Sequence, residues 1–173
     1  MLIFFEFLTL AIFAANLTFM VRRKDYASLS ALAAGFITVG LGEYRNAFVD
    51  KVTSYNEGFL IWIPKTGVPF FIICGGATVP SLIYQAAKFA ADKITRFRIL
   101  VELICLGFIS LVAPAVELSG IALNLWKWNR DYTVNAWWCF GIWIFYSLFL
   151  ATPALLAIIV EVILKKRSHS TDS

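Results

Sequence analysis

The sequence predicts an all-α, polytopic membrane protein: a single bundle of about five transmembrane helices with a short interfacial or re-entrant segment. Three observations carry that expectation. The chain is 60% hydrophobic and only 15% charged, and its mean hydropathy of +0.78 lies far above that of soluble domains. Apolar runs of the length needed to cross a hydrocarbon core recur along it. Its basic residues fall between those runs instead of forming one patch, so the net charge of +4 reflects membrane topology and not nucleic-acid binding. With 173 residues there is room for one transmembrane domain, 1–164, and a polar cytoplasmic tail, 165–173.

Leu2 to Val21 is the first span. It lacks a basic leading region and runs straight into Arg22, Arg23 and Lys24, which is the pattern of an uncleaved helix with a basic stop. Asn16-Leu17-Thr18 matches a glycosylation acceptor, but its place inside a span argues against that use. Ala27 to Gly42 forms the second span. Its small residues (Ala31, Ala33, Ala34, Gly35, Gly40, Gly42) allow close helix packing, and it ends on the polar cluster Glu43-Tyr44-Arg45-Asn46.

Gly58 to Pro64 is too short to cross and is expected to lie at the interface or to re-enter. The third span runs from about Val68 to Ala87, with Gly75, Gly76 and Pro80 inside it. The fourth occupies the apolar run Ile99 to Trp126 and carries Pro114 and Glu117; the fifth runs from about Asn135 to Leu164 around Pro153. Five spans place ten lysines and arginines on one side (Arg22, Arg23, Lys24, Lys88, Lys93, Arg96, Arg98, Lys165, Lys166, Arg167) and five on the other (Arg45, Lys51, Lys65, Lys127, Arg130). The richer side is expected to be cytoplasmic, with the N-terminus outside and the C-terminus inside.

Glu117 is the main candidate functional residue. A carboxyl at membrane depth must pair, protonate or line a polar cavity, so it is either a packing device or a reactive group. Asn124 lies seven residues on, on nearly the same face of an uninterrupted helix, and Trp126 and Trp128 follow at the depth of an aromatic belt. Glu43 is the second acid, with a local ion pair to Arg45 as its plainer explanation. Glu6 sits near the outer end of the first helix, and Glu102 and Glu161 lie toward the cytoplasmic half. Cys74, Cys105 and Cys139 lack paired spacing and His169 stands alone in the tail, so neither a metal site nor a disulfide framework is expected. Phosphate loops, metalloprotease motifs and nucleophile elbows are absent from the sequence, which leaves acid-base chemistry by carboxyls in lipid, with no cofactor, or no chemistry at all.

A set of short patterns resembles the membrane carotenoid-biosynthesis proteins of the carotenoid 1,2-hydratase type. These are Gly42-Glu43-Tyr44, Tyr55, Thr66-Gly67-Val68-Pro69-Phe70-Phe71 with the helix through Pro80, Pro114-Ala115-Val116-Glu117 with Gly120, and Leu125-Trp126-Lys127-Trp128. Together they span Val39 to Phe149, in a chain that would be a short and divergent member lacking the aspartate-rich patch beside the fourth-helix motif. The resemblance implies addition of water to a terminal double bond of an acyclic carotenoid or other long apolar isoprenoid. In that chemistry Glu117 would be the acid, Glu43 and Asn124 would position water, and Tyr44, Trp126 and Trp128 would supply aromatic faces to the substrate and its cation. Two other roles fit the same residues: a non-catalytic membrane subunit or assembly factor with structural carboxyls, as part of a complex or homo-oligomer, and a small proton-coupled transporter or lipid-binding protein.

Overall fold

The computed structural model describes residues 1–49, 51, 53–93, 99–100, 102–104, 107, 113–128 and 152–164. The described chain is mostly helical. Helix α1 spans Leu2–Arg23 and α2 spans Tyr26–Tyr44, the latter continued by a π-helical turn, Arg45–Val49. Helix α3 spans Phe70–Ala91, α4 Ala113–Ala122 and α5 Thr152–Leu164. Three helices, α1, α2 with its π turn, and α3, are long and apolar enough to cross a membrane. At about 1.5 Å per residue, the 22 residues of α1 extend about 33 Å, the thickness of a hydrocarbon core. The remainder of the expected fifth span, before Thr152, and much of the expected fourth lie outside the described residues, as do Arg96, Arg98 and the tail.

Two departures from an all-helical bundle matter for the site. Thr53–Tyr55 forms a strand, β1, that pairs antiparallel with β2, Trp126–Trp128, in the register Thr53↔Trp128, Ser54↔Lys127, Tyr55↔Trp126. The segment between β1 and α3 is an irregular hairpin in which Trp62 and Pro69 form a bridge. The Phe70 N–H donates to Ile61 O (2.9 Å) and the Ile63 N–H to Val68 O (3.0 Å), around a turn with positive φ at Lys65 and Gly67. Gly58 to Pro64 is therefore non-helical, and its second half pairs with residues 68–70 across that turn.

The first helical hairpin closes in two residues, Lys24 and Asp25. Lys24 adopts the left-handed conformation; its N–H donates to Val21 O (3.1 Å), and that of Asp25 to Met20 O (3.0 Å), satisfying the last carbonyls of α1. Asp25 then caps α2 through the Ser28 N–H (3.1 Å). This tight reversal sets α1 and α2 antiparallel.

Helix α3 packs most closely on α2. A methyl group at Gly35 would stand 3.1 Å from the Ala77 backbone, and one at Gly76 would meet Val39 Cγ1 at 2.6 Å. Ala31 and Gly35 are buried in this seam whereas Ala33 is exposed, so the small residues of α2 divide between an inner and an outer face. Helix α5 completes the described core: Ala154, Ala157 and Ile158 pack on Ala27, Ala31, Ile83, Tyr84 and Ala87. At the other end, Phe59, Phe71 and Leu125 form a cluster flanked by Leu2, Phe5, Trp62 and Trp126. The start of α1, the end of α2, the start of α3 and both strands thus share one end of the bundle.

Candidate functional site

The strand pair, the end of α2 and the end of α4 meet at one site. Glu43, in the last turn of α2, accepts a hydrogen bond from the Tyr55 hydroxyl on β1. Beside Tyr55, its cross-strand partner Trp126 meets it edge to face, with ring centroids 6.5 Å apart. Trp126 in turn lies over α4 where Gly120 offers no side chain: a methyl group there would fall 1.9 Å from Trp126 Cζ2. A half-buried carboxylate, a phenol and an indole are thereby brought together at one end of the bundle, and none of the three is near another in sequence.

Several sequence expectations are corrected here. Helix α4 stops at Ala122, so Asn124 and Trp126 do not continue the helix that carries Glu117. The reason is the turn at Asn124, which has φ 55. Its N–H donates to Ile121 O and the Leu125 N–H to Gly120 O, both at 2.9 Å, and asparagine tolerates that left-handed conformation better than most residues. Asn124 is exposed, and its carbonyl accepts from Asn56 Nδ2 (3.1 Å), which makes it a turn residue that joins two loops. Trp126 and Trp128 are strand residues, opposite Tyr55 and Thr53, and not a continuation of the helix that carries Glu117.

Tyr44 also departs from its expected place. Its ring stacks on Phe48 (5.2 Å, 24°), away from the Glu43–Tyr55 pair, because successive residues on a helix point about 100° apart. The position of Glu117 is one turn before Gly120 in α4, but its side chain lies outside the described residues. Of the six candidates, then, the structure brings together Glu43 and Trp126, and it adds Tyr55.

The loop beside this site is fixed by a residue with no assigned role in the sequence. Glu6 is 0% exposed, and its two carboxylate oxygens accept the consecutive N–H groups of Leu60 and Ile61, each at 2.8 Å. Irregular backbone at membrane depth needs internal partners for its donors, and here α1 supplies them. An acid about one turn into an apolar helix was the available signal, but it does not reveal which backbone it serves.

A second polar cluster occupies the opposite half of the bundle. The buried Tyr84 hydroxyl donates to Glu161 of α5, and Glu102 and Asp25 lie within electrostatic reach of it. Asn16 Nδ2 donates to Ser81 Oγ (3.3 Å), while Gln85 Nε2 donates to Asn16 Oδ1 (3.0 Å) and to Ser81 Oγ (3.1 Å). Ser81 Oγ also lies 3.4 Å from Ser28 O, so the network links α1, α2 and α3. The readable signal was Ser81 and Gln85, polar residues four apart on an apolar helix and hence on one face. Asn16 is 7% exposed, which agrees with setting aside its glycosylation pattern.

The fold and sites define a helical, membrane-type protein with a carboxylate–phenol pair under an aromatic wall at one end and a hydrogen-bonded helix junction toward the other. No family model matches the chain, and no curated protein or solved structure shows significant similarity to it.

Proposed function

We propose that this chain is an integral membrane enzyme that adds water to a terminal double bond of a long apolar isoprenoid such as an acyclic carotenoid. The observation that carries the proposal is the Glu43–Tyr55 pair beside Trp126, at the end of the bundle where a lipid-dissolved chain end meets water. The bundle has five spans, with the N-terminus outside and the C-terminus cytoplasmic.

Hydration transfers a proton to the terminal alkene carbon that leaves a tertiary cation; a water oxygen bonds to that cation and releases a proton. Glu117 is the acid, since protonating an alkene requires a carboxyl group that carries its proton. Glu43, already oriented by Tyr55, positions the water and takes up its proton. Trp126 offers a π face to the cation. We assign no direct part to Asn124, which sits in a turn, to Tyr44, whose ring stacks on Phe48, or to Trp128, which pairs with Thr53.

Coexpression with an acyclic carotenoid pathway is expected to yield a product heavier by one water. Glu117→Gln is expected to abolish it, and Glu43→Gln to slow it by roughly 10² to 10⁴ at most, the usual range for a general base. An undiminished product from Glu117→Gln removes the acid assignment. The Tyr84–Glu161 junction supports a second reading, a non-catalytic subunit whose carboxyls fix helix packing. Absence of hydrated product from well-folded parent protein moves the assignment to that role.

A further inference from the structure

Helix α1 is the least covered of the three long helices, and one stretch of its outer face is shaped and charged in an unusual way. A groove of about 500 Å³ runs along Ala14, Ala15, Thr18, Phe19, Arg22 and Arg23. Its floor is made of small side chains, and the Thr18 hydroxyl is turned back onto Ala14 O (2.8 Å), leaving the wall largely apolar. Two exposed guanidinium groups close one end. Arg23 lies over the Phe19 ring at 4.4 Å, and among the described residues neither arginine is matched by a carboxylate. The nearest acid in sequence, Asp25, is engaged in capping α2 through Ser28.

We propose that this groove binds an anionic phospholipid, with the phosphate on Arg22 and Arg23 and an acyl chain along Ala14, Ala15 and Thr18. The shape demands an occupant that is anionic at one end and apolar along its length, which is the form of such a lipid. The distance from Ala14 to Arg23 is about 13 Å along the axis, so the groove reaches from a helix end well into the hydrocarbon. A second copy of the chain is a poorer occupant, because a two-fold contact through this face brings the two arginine pairs together. The site is separate from Glu43 and Trp126, and the proposal is independent of the hydration chemistry.

The test uses the full-length protein in neutral detergent, titrated by native mass spectrometry with phosphatidylglycerol, with phosphatidylcholine of the same chains, and with inorganic phosphate. Phosphatidylglycerol is expected to bind roughly tenfold or more tightly than phosphatidylcholine, from about 1 kcal/mol per basic residue at a membrane surface. The double variant Arg22→Gln with Arg23→Gln should remove that preference. Ala15→Leu, on an exposed position that leaves both arginines in place, should weaken both lipids by filling the groove. Equal binding of the two lipids, or unchanged binding in either variant, overturns the proposal. Competition by inorganic phosphate as strong as that by the lipid would reduce the site to an ion contact, and a dimer lost in Ala15→Leu would give the face to a second copy.

Discussion

Both oxygens of Glu6 are occupied by main-chain donors, and this decides what its replacement does. Glutamine preserves the shape but presents one oxygen and one NH2 group, so either Leu60 or Ile61 is left facing a donor. A buried N–H without an acceptor costs about 1–3 kcal/mol. Glu6→Gln is expected to lower the melting temperature in detergent and to speed amide exchange at Leu60 and Ile61, with exchange around Tyr84 unchanged. Unaltered exchange at those two amides would show that the loop holds without the carboxylate. The sequence made Glu6 visible as an acid in an apolar helix. Its partners are 54 and 55 residues away and are backbone groups, which carry no side-chain signature. The same limit applies to Glu43: its local companion Arg45 is apparent in sequence, whereas Tyr55 is found through the strand pair.

At the level of elements, the seam between α2 and α3 depends on backbone proximity more than on side-chain bulk. Apolar side chains gain little by leaving lipid for each other, so close approach and the dispersion contacts it brings are what hold such helices together. Gly76→Leu places a branched side chain where Val39 already stands 2.6 Å from the first added carbon, and Gly35 faces the Ala77 backbone, which cannot rotate away. Overpacking of this kind typically costs about 1–3 kcal/mol. A drop in thermal stability is expected for Gly76→Leu and for Gly35→Leu; a melting temperature unchanged in both would separate the two helices. The three long helices were legible because span length and small-residue content are local properties: the expected starts and ends lie within a few residues of Leu2–Arg23, Tyr26–Tyr44 and Phe70–Ala91. The stop after Ala122 was not legible, since Leu123 to Trp128 is apolar enough to extend a helix. What ends it is the left-handed turn at Asn124 together with the pairing of Trp126–Trp128 to a strand some 70 residues earlier, and hydropathy reports neither.

For the whole molecule, the two ends of the bundle differ in charge as well as in architecture. Arg22, Arg23, Lys24, Lys88 and Lys93 lie at the end that holds the α1–α2 turn and the close of α3, while Arg45, Lys51, Lys65 and Lys127 lie with the strands. The bonds between Glu6 and the hairpin, Glu43 and Tyr55, and β1 and β2 tie the second group to one end without reference to any count of spans. Basic residues favour the cytoplasmic side, and the end with the α1–α2 turn also carries the adjacent triplet Arg22-Arg23-Lys24, so the strand-bearing end is expected outside. Single cysteines at Lys65 and Lys127, in a background with the native cysteines replaced, should react with an impermeant maleimide on intact cells. Cysteines at Lys24 and Asp92 should react only after permeabilisation. The opposite pattern would invert the orientation and place the Glu43–Tyr55 pair at the cytoplasmic face; labelling of all four from one side would break the separation of the two ends itself.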